Sequence, residues 1–137
     1  FLNQDFAVFG GDNGRFWYEI FKDVCVIKQV RFTDITTAGF VKYTINSFLA
    51  MKVVFFNELF HLFNKSAGLS FDSLTEIVSM DDRIGNSHLQ VPGPDGDYGF
   101  GGACFPKDTK AFVQFAKDSG PLELLEHVIK LNNEIRN

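Results

Sequence analysis

The residues best suited to chemistry lie together in Gly99-Phe100-Gly101-Gly102-Ala103-Cys104-Phe105-Pro106-Lys107-Asp108-Thr109. Three glycines in four positions allow a backbone to take positive φ and to approach a ligand closely. Proline two places after Cys104 is favoured in the first turn of a helix, so the cysteine is expected at or beside a helix N-terminus. The free N–H groups and positive dipole end at such a terminus favour thiolate. Asp108 follows four residues on, one turn away on the same side, and Lys107 adds positive charge. This is the pattern of a nucleophilic cysteine behind a substrate-holding loop, and equally that of a small residue in a common glycine turn.

Lys42 and Asn46 stand four apart and share a helix face. A lysine and an amide together can donate hydrogen bonds to an alkoxide or oxyanion; the alternative is a solvated stripe on a largely buried helix. In Asp81-Asp82-Arg83-Ile84-Gly85 a loop arginine could grip a phosphate or a sugar. Cys25, in a β-branched run, reads as a small buried hydrophobe. His88 is isolated, and His61 and His127 lie in partly apolar helical surroundings, so no metal site is expected.

The elements that must position these groups follow from the same chain. Val24 to Phe32 reads as a strand, and Arg15 to Phe21 as one or two helical turns. Thr33 or Asp34 is a plausible N-cap for a helix running to about Lys65. No proline and only Gly39 interrupt it, and at 1.5 Å per residue it is a rod of roughly 50 Å. Its second half is apolar on nearly every face, so it must be surrounded by protein, and a partner subunit is expected to cover part of it. Shorter helices are expected over 71–80, 106–117 and 122–135, with a loop from Asp81 to Tyr98. The result is a mainly α chain with a short β element near its N-terminus.

Composition sets the outer limits. The chain has 137 residues, 45% of them hydrophobic, and 17 are Phe, a large apolar load for its length. A formal charge of −4 and the lack of a basic stripe give no reason to expect nucleic acid. No apolar run suggests a membrane span. Two cysteines are too few for a disulfide scaffold. The start at Phe1-Leu2, without Met, suggests a piece of something longer.

Taken in order, these pieces resemble the UDP-glucose/GDP-mannose dehydrogenase family over nearly the whole chain. Phe1-Leu2 looks like the end of its Pro-Glu-Phe-Leu segment, and Lys42 to Ala50 like the Lys-x-x-x-Asn start of its central helix. Asn57-Glu58 resembles a pair further along that helix. Asp82 to Gly85 and Pro92 to Gly96 resemble the loop before the active site, and Gly99 to Thr109 resembles the catalytic motif, the most specific element. The resemblance implies a helical middle domain, of the kind that is C-terminal in 6-phosphogluconate dehydrogenase, over residues 33–137. Residues 1–32 would be the remnant that follows an NAD-binding domain. It implies oxidation of the C6 alcohol of a nucleotide-linked hexose to a carboxylate with two NAD, UDP-glucose being favoured over GDP-mannose or UDP-N-acetylmannosamine.

By the same resemblance, Cys104 would form a thiohemiacetal and then a thioester. Lys42 and Asn46 would stabilise the oxyanion, and Asp108 would position or activate water. Leu2, Tyr98, Gly99, Phe100 and Gly101 would line the sugar-nucleotide site, while Arg83 would reach the substrate of a neighbouring subunit. Cofactor contacts in this chain would be confined to the vicinity of Cys104 and Lys107, because no Gly-x-Gly-x-x-Gly is present. The chain alone is therefore expected not to turn over. A cytoplasmic homodimer through the long helix is implied; the rival reading is a helical dimerisation module without chemistry. Gly39 stands where the family usually has an acidic residue, and should cost about 1 kcal/mol of helix stability relative to alanine.

Overall fold

A computed structural model describes residues 3–66, 68 and 70–136. Leu2 lies outside the described residues. The chain divides into two compact units, Phe1–Thr44 and Ile45–Asn137.

The first unit contains strand β1 (Asn3–Gly10), helix α1 (Gly14–Phe21) and strand β2 (Val26–Thr33). The strands pair in parallel, from Asn3 opposite Val26 to Gly10 opposite Thr33. Parallel neighbours need a crossover, which α1 supplies. The Phe9 ring packs on Tyr18, Phe21 and Phe32 at centroid separations of 5.8, 6.2 and 6.0 Å, closing a small aromatic core. Cys25 is buried, as its apolar context suggested. A Cβ on Gly10 would come within 2.7 Å of the Ala38 Cβ, and one on Gly14 within 3.1 Å of the Phe9 oxygen. These glycines thus let the chain pack against itself.

Helix α2 runs from Ile35 to Ser66. Asp34 caps it: the Thr37 N–H donates to Asp34 Oδ1 at 2.8 Å, satisfying one of the orphan donors of the first turn. Gly39 has open space where a side chain would stand. The first ten residues of α2 fall in the first unit and the rest in the second.

In the second unit, α2 is joined by α3 (Phe71–Val78), α4 (Phe105–Ala116) and α5 (Glu123–Arg136). Two apolar clusters hold it. One gathers Ala50 and Val54 of α2, Phe100 and Val128 of α5; the other gathers Phe56, Phe71, Leu89 and Val91. Residues 79–104 form a long connection without helix or strand. Lys52 ties it to α2, donating from Nζ to the carbonyls of Ile84 (2.7 Å) and Ser87 (2.5 Å). Loops of this length in a packed unit are usually functional. Among the described residues no helix is long and apolar enough to cross a membrane.

The long helix is only partly enclosed within this chain. Ser47, Ala50, Val54 and Asn57 bury one face, and Phe56 is buried on another. Phe48, Phe55 and Leu62 on the opposite side are 60, 58 and 63% exposed.

Candidate active site

Cys104 is the N-cap residue of α4, with φ −89° and ψ −58°, and it is exposed. Pro106 occupies the first turn, which fixes where the helix begins. One turn on, the Asp108 N–H donates to the Cys104 carbonyl at 2.9 Å. The Asp108 side chain is 1% exposed. Such a carboxylate persists only if partnered, and its partners are Asn46 Nδ2, donating at 2.6 Å, and Lys107 Nζ, donating at 2.8 Å. The structure therefore joins two residues 62 positions apart that sequence reasoning had given separate tasks. One amide hydrogen of Asn46 is committed to Asp108, which fixes the direction of the amide and aims its second N–H. Lys42 lies four residues earlier on α2, in the first unit, with its ammonium 5.2 Å from the Tyr43 ring centroid.

The glycine segment before Cys104 is held from below. Gly99 donates its N–H to Asn57 Oδ1 at 2.9 Å, and the Asn57 amide is anchored by donation to the Val53 carbonyl at 2.8 Å. Phe100 donates its N–H to Asn132 Oδ1 at 2.6 Å and accepts from Asn132 Nδ2 at 3.0 Å. Arg136 donates to the carbonyls of Tyr98 and Gly99 at 3.2 and 3.4 Å, and to Asp95 and Asp97 at 3.1 and 3.0 Å. Gly99 and Gly102 both take φ +72°, where a side chain is strained.

Above this platform lies a cleft of about 370 Å³, lined among others by Gly99, Phe100, Gly101, Gly102, His88 and Phe105. Its size and mostly apolar wall suit a small-molecule ligand. Gly102 and Phe105 line the cleft; Cys104, between them in sequence, does not. Phe100 contributes to the lining while its ring belongs to the apolar core. His88, with φ 62°, packs its ring 5.5 Å from that of Phe105. Burial, helped by the nearby Lys52 charge, lowers its pKa.

Two expected ligand contacts stand elsewhere. Tyr98 packs beside Phe60 and His61 of α2, at 5.9 and 5.6 Å, and does not line the cleft. Arg83 forms a two-pronged bond to Asp81 (2.9 and 2.6 Å) and holds that carboxyl below its usual range. It borders a second, apolar groove of about 480 Å³ with Phe48, Met51, Phe55 and Leu59. Asn132 and Arg136 were not singled out by sequence reasoning, and His88 was weighed only as a metal ligand. Among the described residues no three His, Cys, Asp or Glu gather to hold a metal ion. Nor is a dinucleotide cradle present among them: the β1–α1 turn reads Gly10-Gly11-Asp12-Asn13-Gly14, its outer glycines are spent on packing, and Asp12 sets a carboxylate there.

A long helix whose Asn46 bonds to a cysteine-led helix, with a buttressed glycine loop leading into the latter, defines a helical domain with an exposed cysteine beside a glycine-lined cleft. The family model described as "UDP-glucose/GDP-mannose dehydrogenase family, central domain" matches residues 36–134, and the chain belongs to that family. It is 38% identical over 105 residues to UDP-glucose 6-dehydrogenase TuaD of Bacillus subtilis, covering 76% of this chain and 22% of that protein. To UDP-glucose 6-dehydrogenase of Rickettsia conorii it is 36% identical over 137 residues, covering 98% of this chain and 30% of the relative. A solved UDP-glucose dehydrogenase from the hyperthermophilic archaeon Pyrobaculum islandicum superposes with a TM-score of 0.76 at 30% identity, covering 95% of this chain and 29% of that one. The chain thus spans between 22 and 30% of the length of these relatives.

Proposed function

We propose that this chain supplies the catalytic thiol and the loop beneath the substrate in a UDP-glucose 6-dehydrogenase, oxidising the C6 alcohol to a carboxylate. The observation that carries the reading is that exposed Cys104 follows the glycines lining the cleft and opens the helix whose buried Asp108 accepts from Asn46. The relatives named above support UDP-glucose as the substrate.

In this mechanism the backbone of Gly99 to Gly102 seats the sugar nucleotide. Cys104 attacks the carbon of the intermediate aldehyde, forming a carbon–sulfur bond while the carbonyl oxygen takes up the charge. The second Asn46 N–H and the Lys42 ammonium stabilise that oxygen. Loss of a hydride and a proton from the thiohemiacetal leaves the thioester. Water, positioned by Asp108, hydrolyses it and restores the thiol. Bound NAD would supply the oxidising power, one hydride acceptor for each of the two oxidations, two molecules in all. It is held mainly by a separate cofactor domain, with any contacts here confined to the vicinity of Cys104 and Lys107, since the described residues build no cradle for it; the isolated chain therefore does not turn over. Residues 1–32 form the junction to that cofactor domain, and 33–137 the catalytic helical one. Arg83 serves the site of a second copy rather than its own.

The exposed stripe of α2 supports a homodimer. Phe48, Phe55 and Leu62 recur every seven residues, and Ile45 stands three before Phe48, a spacing that keeps them on one side of the helix. A second copy, presenting the same stripe, covers it.

The deciding experiment replaces Cys104 by Ala in the whole protein. Carboxylate formation is expected to cease while the protein stays folded. Unchanged formation would remove the thiol from the chemistry and favour the non-catalytic dimerisation module.

A further inference from the structure

We propose that Asn132 is a positioning residue for the nucleotide sugar, fixing the Phe100 peptide groups so that Gly99 and Gly101 present a preset backbone to the ligand. The inference rests on the functional reading above and assigns a task to a residue on α5, outside the cysteine segment and outside the long helix.

The geometry is specific to an amide. Asn132 is 4% exposed, so water does not replace its bonds. Its oxygen accepts from Phe100 N–H at 2.6 Å while its nitrogen donates to Phe100 C=O at 3.0 Å. A neutral amide both accepts and donates across one residue in this way; a carboxylate only accepts. The approach is close, since a Cβ on Gly99 would stand 2.5 Å from Asn132 Oδ1. Asn57 takes the preceding N–H, and Arg136, one turn beyond Asn132, takes the carbonyls of Tyr98 and Gly99. Three successive loop residues are therefore read by side chains of α2 and α5. The Phe100 ring sits in the core, leaving the backbone on either side of it to face the cleft. Asn132 itself does not line the cleft and so acts through the loop.

The test compares wild type, Asn132→Ala and Asn132→Asp in the whole protein, with UDP-glucose and NAD as substrates. Asn132→Ala should raise KM for UDP-glucose about tenfold, the size of one lost buried hydrogen bond, with KM for NAD unchanged. Asn132→Asp should show a pH-dependent KM. An ionised carboxylate cannot donate to the Phe100 carbonyl, whereas a protonated one restores both bonds, so affinity should recover toward wild type as pH falls. That recovery, absent from wild type and Asn132→Ala, would not follow from a general loss of packing. Folded variants with unaltered KM for UDP-glucose, equal shifts in both KM values, or an Asn132→Asp profile parallel to wild type would each overturn the proposal. A wild-type protein that oxidises no nucleotide sugar would instead defeat the functional reading on which it rests.

Discussion

At the scale of single residues, the site depends on polar groups whose partners come from distant parts of the chain. Asp108 is buried against Asn46 and Lys107, whose hydrogen bonds offset the cost of its burial, and it orients the Asn46 amide. Asp108→Asn keeps the volume but loses the charge-assisted bonds. In steady-state kinetics with the whole protein, kcat should fall on the order of 100-fold, comparable to loss of an oxyanion donor. Gly99 is constrained twice, by φ +72° and by the Asn132 oxygen. Gly99→Ala should destabilise the protein by about 1–3 kcal/mol, read as a lowered denaturation midpoint. The Cys104–Asp108 relation was legible in sequence because it is one helical turn. The tasks of Asn132 and Arg136 were not, because they depend on which loop lies over α5.

At the scale of elements, α2 and α4 were legible because their signals are local. Asp34 caps the one, an unbroken run without proline extends it, and Pro106 sets the start of the other. Strand β1 was not legible as a strand. Its Asn3–Gly10 run lacks clean alternation, and it exists through parallel pairing with β2, twenty-three residues on. Gly39 offers a clean test of helix propensity. With open space around it, Gly39→Ala should raise stability by up to about 1 kcal/mol, measured by chemical denaturation. On the other face of α2, Phe55→Asp would set a charge in the apolar seam. Sedimentation equilibrium should then show monomers where the unmodified protein shows dimers; an unchanged mass would place the dimer contact elsewhere.

At the scale of the whole molecule, pH acts through the groups that pin the long loop. Burial holds the pKa of His88 below its ordinary value of 6.5, so the folded state prefers the neutral ring. Its contribution to stability is present above 6.5 and is lost as pH falls through the lowered folded value. The Asp97 N–H and the Arg136 guanidinium hold the Asp95 carboxyl below 3.8, so its contribution persists to stronger acid. Thermal melts should therefore show a first loss of stability just below pH 6.5 that Asn or Gln at position 88 removes, and a second, below pH 4, that His88 substitution leaves in place.

The central claim is that Cys104 becomes covalently bonded to the substrate during the second oxidation. Its most direct test is rapid acid quenching of the whole protein during turnover of UDP-glucose with NAD, followed by mass spectrometry of the peptide that carries Cys104. We predict a sugar-nucleotide adduct on that peptide, accumulating further in Asp108→Asn as hydrolysis slows. Steady carboxylate production with an unmodified Cys104 peptide at every quench time would contradict the account.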